Sequence, residues 1–228
     1  MLDGVIEWGI FFKPYAPGFL SASLTVIIIS SLSIMLSWLV GAFLALGQSS
    51  DRKYLVLFCK LYIWFIRGTP ALILVFLIFF GLPQFGIRFS PYTAGILAIG
   101  LNGGAFVGEI VRGGLQSVPS RQLQAGQALG LSYWRILWRI HLPQAMCASL
   151  PGLVGEAVAI IKNTSLLSTI TIVEITLYAQ IASAATFKPF DFFIASAACY
   201  LVLTSAVMLI GKRVERRLNA HIPIYTGA

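Results

Sequence analysis

The chain has 228 residues, of which 58% are apolar and only 11% are charged, and its formal net charge is +8. A mean hydropathy of +0.87, set against the roughly 25% charged residues of a soluble domain, excludes an ordinary soluble fold and indicates a protein embedded in lipid. Backbone groups in a bilayer must pair within the protein, so only helices or closed barrels can cross it. The apolar segments lack the alternation of barrel strands, and we therefore predict an all-α integral membrane protein.

The apolar segments are long enough to cross the hydrocarbon core of a bilayer, which requires about 20 residues in a helix. We predict five transmembrane helices in a single domain covering residues 1–228, at about residues 19–47, 57–82, 91–115, 144–172 and 190–213. The first segment is too long for a cleaved signal sequence and lacks a small-residue cleavage site, so we expect a permanent helix.

Proline and glycine residues give the second and third segments distinct features. Pro70 removes a helix hydrogen bond and should break the second segment shortly after Arg67. That break is either structural alone or, together with a buried Arg67, helps to shape a transport path. In the third segment Gly100, Gly104 and Gly108 recur every four residues, which predicts the close approach of another helix.

Ionisable residues within apolar segments are costly, and by default they face a bundle interior or a wet cavity. Glu109 and Arg112 are three residues apart and can pair with each other. Glu156 and Lys162 are six residues apart on the fourth segment and therefore lie on different helix faces. For these two residues, lining a translocation path and bonding to a neighbouring helix both remain open.

A polar loop at residues 116–143 separates the third and fourth segments. Ser120 is placed to cap a short helix, Gly130 to end it, and Ser132 to cap a second helix that runs through Arg139. The small side chains of the first helix suit insertion into a groove on a partner protein. A surface helix resting on lipid headgroups is the alternative.

The distribution of lysine and arginine predicts the orientation, because short cytoplasmic flanks retain these residues. Eleven of them lie on one side, at Arg52, Lys53, Lys60, Arg112, Arg121, Arg135, Arg139, Lys212, Arg213, Arg216 and Arg217. Three lie on the other, at Lys13, Arg88 and Lys188. We therefore predict the amino terminus outside and the carboxyl terminus and polar loop inside.

The chain carries no pattern typical of catalysis. It has two histidines, His141 and His221, and neither lies in a metal-ligand pattern. Cys59, Cys147 and Cys199 are widely scattered and are expected to act as small apolar residues. The sequence contains no G-x-x-x-x-G-K-[ST] phosphate-binding loop, so we predict a non-enzymatic chain without its own cofactor or metal, driven by a partner.

Several motifs resemble the membrane subunits of ABC importers. The order Glu-Ala-Ala, three residues, Gly, nine residues, Ile, one residue, Leu-Pro is matched by Ala125, Gly130, Ile140, Leu142 and Pro143, while Gln124 and Gly126 replace its Glu and second Ala. The polar amino-acid permease subfamily is also similar at Arg67-Gly68-Thr69-Pro70, Phe80-Gly81-Leu82-Pro83, Glu109-Ile110-Val111-Arg112-Gly113-Gly114, Ser117-Val118-Pro119 and Lys162-Asn163-Thr164-Ser165-Leu166.

This resemblance implies the type I importer fold, in which a cytoplasmic coupling helix docks on an ATPase. The implied partners are a pair of ABC ATPase subunits that bind the ATP, a second permease that is the same or a homologous chain, and an extracytoplasmic solute-binding protein. The implied location is the plasma (inner) membrane of a prokaryote, surrounded by lipid, and the implied substrate is a polar amino acid or a derivative.

The resemblance also implies two sets of functional residues. The translocation cavity would be lined by Glu156, Asn102, Lys162, Thr164 and Arg67. The ATPase-docking helix would present Gln124, Ala125, Gly126, Ala128, Leu129 and Gly130.

Two other classes of membrane protein fit the sequence less well. A secondary transporter of small polar solutes often contains repeated halves with coupling carboxylates, whereas five segments do not divide equally. An integral membrane enzyme would need a cluster of catalytic groups near one interface, which the sequence lacks. The loop motif is also not repeated in the chain, which disfavours a transporter built from two halves.

Overall fold

A computed structural model describes residues 13–221, and every regular element in that range is helical. The predicted all-α class is therefore confirmed for this part of the chain. The α-helices in chain order are α1 Ala16–Gln48, α2 Lys53–Gly68, α3 Ala71–Phe76, α4 Pro91–Ser117, α5 Ser120–Ala128, α6 Tyr133–Ile136, α7 Leu142–Asn163, α8 Ile175–Thr186 and α9 Pro189–His221. Shorter turns follow three of them, with π-helix at Leu77–Gly81 and Leu137–His141 and 3-10 helix at Leu82–Phe85 and Thr164–Ile170.

The first and third long helices, α1 and α4, pack side by side along the predicted glycine stripe. A Cβ atom on Gly104 would lie 2.6 Å from Val40 Cγ1, and one on Gly108 would lie 3.0 Å from Leu44 Cβ. Gly100 meets α1 in the same way, one turn earlier. Because the contacts advance in step along both helices, α1 and α4 run in the same direction. The predicted role of the glycines in close packing is confirmed.

Pro70 divides the second apolar segment, as predicted. Helix α2 ends at Gly68, Thr69 is extended, and α3 begins at Ala71. The segment before the break is bent by 106° from Ala71–Phe85. What the sequence suggested as one helix at residues 57–82 is thus two pieces that meet almost at a right angle.

By length and composition, four helical stretches of the described chain can cross a membrane. They are Ala16–Gln48, Pro91–Ser117, Tyr133–Ile170 and Pro189–Leu218. The bent pair Lys53–Gly68 and Ala71–Phe85 gives a fifth if it is one broken span. Large apolar side chains remain exposed along these helices, for example Leu39 at 72% and Leu201 at 65%, as expected for surfaces that face lipid or another subunit.

Buried apolar residues from several helices join the bundle into one body. Near the start of α1, Phe19 and Val26 cluster with Ile161 of α7, Ile175 of α8 and Phe192 of α9. Two further clusters follow along α1, one against α3, α4 and the 3-10 turn after α7, and one against α2 and α4. The core therefore follows α1 and α4, which position the polar loop at one end. Cys59 and Cys147 are buried free thiols, and Cys199 is partly buried, which confirms their expected apolar setting.

Candidate functional site

The polar loop begins with helix α5, which starts at Ser120. The predicted capping role of Ser120 is wrong, because Pro119 occupies the N-cap position and no side chain caps this end. Pro119 has an extended ψ of 130°, so the chain turns into the helix one residue earlier than expected. Ser120 is consequently a first-turn residue and not a cap.

The carboxyl end of α5 is closed by a left-handed glycine. Gly130 has a φ of 70°, its N–H donates to Gln127 O at 2.9 Å, and the N–H of Leu131 donates to Gly126 O at 3.1 Å. This pair of bonds is a Schellman motif, which satisfies the last free carbonyls of a helix. The prediction that Gly130 ends the helix is confirmed.

After the bend, the second loop helix does not end at Arg139, so that prediction is wrong. Helix α6 continues through the π turn Leu137–His141 directly into α7. Pro143 lacks an N–H and its ring crowds the preceding turn, and the wider π turn just before it accommodates this proline without a break. The loop is therefore rigidly connected to a membrane-spanning helix.

Side-chain contacts hold α5 against this continuous helix. His141 Nε2 lies 2.9 Å from Leu115 O and so joins the end of the loop to the end of α4. The Gln144 amide donates to Gln122 Oε1 on α5 and to Ile140 O. The sequence predicted only an ordinary interfacial position for His141 and no contact for Gln144, because neither residue belongs to a recognisable pattern. Both connect segments that are separated by more than 20 residues.

Most of the residues predicted to dock a partner are exposed on α5. Gln124, Ala125, Ala128 and Gly130 are exposed, and Leu129 is 80% exposed. Gly126 is buried instead, and a Cβ atom on it would lie 3.0 Å from Ile136 Cγ1. This glycine therefore faces its own chain and permits the tight packing of α5 on the neighbouring helix.

Exposed aromatic rings extend the surface beyond α5. Tyr133 and Trp134 form an edge-to-face pair with ring centroids 5.5 Å apart, and Trp138 is also exposed. A cavity of about 80 Å³ between α5 and the π turn is lined by Leu123, Gln127, Tyr133, Ile136, Leu137 and His141.

The predicted cavity residues divide into buried and accessible groups. Asn102 on α4 is buried, and Thr164 is fully buried with its hydroxyl donating to Ile161 O at 2.7 Å. Glu156 on α7 is partly buried and Lys162 is exposed. In the described part of the chain, the side chains of Glu156 and Lys162 form no hydrogen bond or ion pair. Glu156 is thus a half-buried carboxyl group on a long apolar helix, and no group within residues 13–221 satisfies it.

Arg67, the fifth predicted cavity residue, is exposed and not buried as predicted, and it belongs to a polar cluster around Glu109. Its guanidinium lies 3.6 Å from Glu109 Oε2 and over the ring of Phe106. Arg112 donates to both Glu109 oxygens, at 3.0 and 2.9 Å, which confirms the predicted pair. Gln48, at the end of α1, donates to the same carboxylate at 3.2 Å. The cluster joins α1, α2 and α4 near the polar loop.

A buried carboxylate that the sequence analysis did not identify lies at the start of α8. Glu174 is fully buried and accepts from the N–H groups of Thr176 and Leu177, both at 2.8 Å. Tyr200 of α9 donates its hydroxyl to Glu174 Oε2 at 2.6 Å. Burial raises the pKa of this carboxyl, against the opposing effect of its donors. An acidic residue directly before an apolar helix was the available signal.

The chain is similar to proteins of known classes over most of its length. Residues 38–220 match the family described as the binding-protein-dependent transport system inner membrane component. The nopaline transport system permease protein NocM of Agrobacterium fabrum (strain C58 / ATCC 33970) is 36% identical, with 92% of each chain covered. A putative glutamine transport system permease protein, GlnP of Rickettsia conorii (strain ATCC VR-613 / Malish 7), is 32% identical over 94% of this chain and 99% of that one.

A solved structure agrees with these relatives. The crystal structure of an amino acid ABC transporter with histidines matches with a TM-score of 0.86 and 33% sequence identity. The match covers 91% of this chain and 97% of that one.

Proposed function

Because this chain belongs to the family of binding-protein-dependent transport system inner membrane components, we propose that it forms the translocation path for an amino acid or an amino-acid derivative. It would act as one permease subunit of an ATP-binding-cassette importer. The relatives named for nopaline and glutamine transport support this substrate class. The chain has no phosphate-binding loop of its own, so the energy comes from a separate ATPase subunit.

The observation that supports this proposal most strongly is that the exposed helix α5 is bonded to the long apolar helices. The Schellman motif at Gly130 closes the carboxyl end of α5. Hydrogen bonds of His141 and Gln144 connect the polar loop to α4 and α7. A partner that grips the exposed face at Gln124, Ala125, Ala128 and Leu129 would therefore move the spanning helices with it. The proposed mechanism is a largely rigid lever that switches the bundle between two packings.

In the same proposal, the five predicted polar residues have a role in the path. We assign Glu156, Asn102, Lys162, Thr164 and Arg67 to the cavity that the substrate crosses. An ammonium group is stabilised by a carboxylate, and a substrate carboxylate by cationic or hydroxyl donors, where bulk water is absent. Glu156 is the strongest member, because no group in the described chain satisfies it.

The remaining features of the proposal concern assembly and location. A second permease, identical or homologous, would complete the path, with two ATPase subunits below and a solute-binding protein above. The chain would cross the plasma membrane of a prokaryote several times, with its amino terminus outside and the polar loop in the cytoplasm. The distribution of lysine and arginine supports this orientation.

Reconstitution distinguishes this proposal from secondary transport. The complex is purified from membranes by a tag on this chain and inserted into vesicles loaded with ATP. We expect uptake of a radiolabelled amino acid only when ATP, the copurifying ATPase and the binding protein are all present. Uptake by this chain alone on an ion gradient would refute the proposal.

A further inference from the structure

Helix α2 crosses the bundle instead of running along it. Cys59 packs against Gly47 near the end of α1, and Arg67, eight residues later, reaches Glu109 on α4. Gly108 of α4 lies level with Leu44 of α1, so these two contacts are at nearly the same depth. Eight residues of helix span about 12 Å, yet α2 changes depth little over this distance.

Tyr62 and Arg67 extend from different sides of α2 and contact α4 at positions two turns apart. Tyr62 donates its hydroxyl to Leu101 O at 3.0 Å, whereas Arg67 reaches Glu109, eight residues further along the same helix. Five residues of helix turn through about 500°, so Tyr62 and Arg67 are roughly 140° apart around α2. The Arg67 edge therefore faces the end of α4 that carries the polar loop.

The cationic residues of α2 lie on that same edge. Lys53, Lys60 and Arg67 are spaced by seven residues and fall within about 40° around the helix. On the remaining exposed surface, Phe58, Leu61 and Phe65 are each at least half exposed. The packed face is formed by Cys59, Ile63 and Ile66. The helix thus has separate protein, cationic and apolar faces.

Three cations before and along α2, Arg52, Lys53 and Lys60, have no ion-pair partner in the described chain. Arg67, on the same helix, pairs with Glu109 instead. Arg52, Lys53 and Lys60 are exposed, and Asp51 is the sole acidic residue between Gln48 and Gly68.

Aromatic residues also lie on the exposed surface of α2. Tyr54 is 91% exposed and Trp64 is 74% exposed. These residue types concentrate where hydrocarbon meets headgroups. A basic edge beside an apolar face with interfacial aromatics is the pattern of a helix that lies in a membrane surface.

We propose that α2 lies in the headgroup layer of the membrane and that Arg52, Lys53 and Lys60 bind the phosphates of anionic phospholipids. Phe58, Leu61 and Phe65 then rest among the acyl chains. The occupant is lipid and not a second copy of this chain, because a symmetric copy would oppose the same uncompensated cations. This surface goes beyond the proposed transport function and does not depend on which solute is carried.

Quenching of Trp64 by brominated lipids tests the proposal in the purified complex. The other four tryptophans are replaced by phenylalanine, and the complex is placed in nanodiscs that contain brominated phosphatidylglycerol or brominated phosphatidylcholine. We expect phosphatidylglycerol to quench Trp64 at about tenfold lower mole fraction. The double variant Lys53→Gln/Lys60→Gln should lose that preference, since each basic residue near an anionic surface contributes roughly a factor of five.

Two controls keep the outcome decisive. Lys212→Gln/Arg213→Gln removes two cations from α9 and should leave the preference at Trp64 intact. A benzoyl-phenylalanine at position 61 of the otherwise unchanged chain should form adducts with lipid, which covers the case in which the single-tryptophan protein does not fold. Equal quenching by both lipids, or a position-61 adduct with a second permease chain, would overturn the proposal.

Discussion

Gly130 is held at a φ of 70° with no atom within 4 Å of a Cβ placed on it. Valine at this position would therefore meet no steric obstacle from neighbours, and its effect is conformational. A left-handed conformation costs a non-glycine residue roughly 1–2 kcal/mol, more for a β-branched one. An energy of this size changes the ratio of two conformations by about 5–30-fold. In the valine variant it would disfavour the conformation in which the Schellman motif closes the end of α5.

We expect Gly130→Val to leave the complex assembled but to lower binding-protein-stimulated ATP hydrolysis by about 5–30-fold, with basal hydrolysis largely retained. Gly130→Asn should lose less, because asparagine tolerates the left-handed region. Gly113→Val is the matched control, since Gly113 also has open space around it but no positive φ. Stimulation of Gly130→Val as strong as that of the wild type would show that α5 does not act as a rigid lever.

The other predictions concern the path, the helix packing and the buried carboxylate. Glu156→Gln should lower the uptake of a cationic amino acid about tenfold or more, the cost of losing a bond to a charged group, without lowering the yield of assembled complex. Unchanged uptake in vesicles would remove Glu156 from the path. Gly104→Val places its Cβ 2.6 Å from Val40 Cγ1 and should destabilise the subunit by about 1–3 kcal/mol. We expect its melting temperature to be lower than that of the control Gly113→Val. Tyr200→Phe removes a donor to Glu174 and should cost about 1.5–3 kcal/mol; a melting temperature equal to that of the wild type would show that this bond contributes nothing.

The sequence predicted those parts of the fold that depend on local pattern. Uncharged segments predicted the long helices, and Pro70 predicted the break. The four-residue glycine spacing predicted the close approach of another helix, although not that this helix is α1. Glu109 and Arg112 were predicted to pair because three residues separate them on one helix. Each of these features is determined by residues that are close in the sequence.

The features that were missed depend on contacts between distant segments. The sequence did not indicate that His141 would bond to Leu115 or that Tyr200 would complete the Glu174 site. The 106° angle between α2 and Ala71–Phe85 was not predicted either, because a proline predicts a break but not its angle. Gly126 was placed on the docking surface by its motif, although the helix turns it inward.

Cross-linking from α5 in native membranes tests the lever most directly. A cysteine at Leu129, which is 80% exposed, is compared with a cysteine at Phe187, which is 91% exposed at the end of α8. We predict that a short bifunctional reagent joins Leu129→Cys to a nucleotide-hydrolysing subunit, while Phe187→Cys gives no such product. If Leu129→Cys captures no ATPase, or both positions capture it equally, α5 is not the element through which an ATPase subunit moves this bundle.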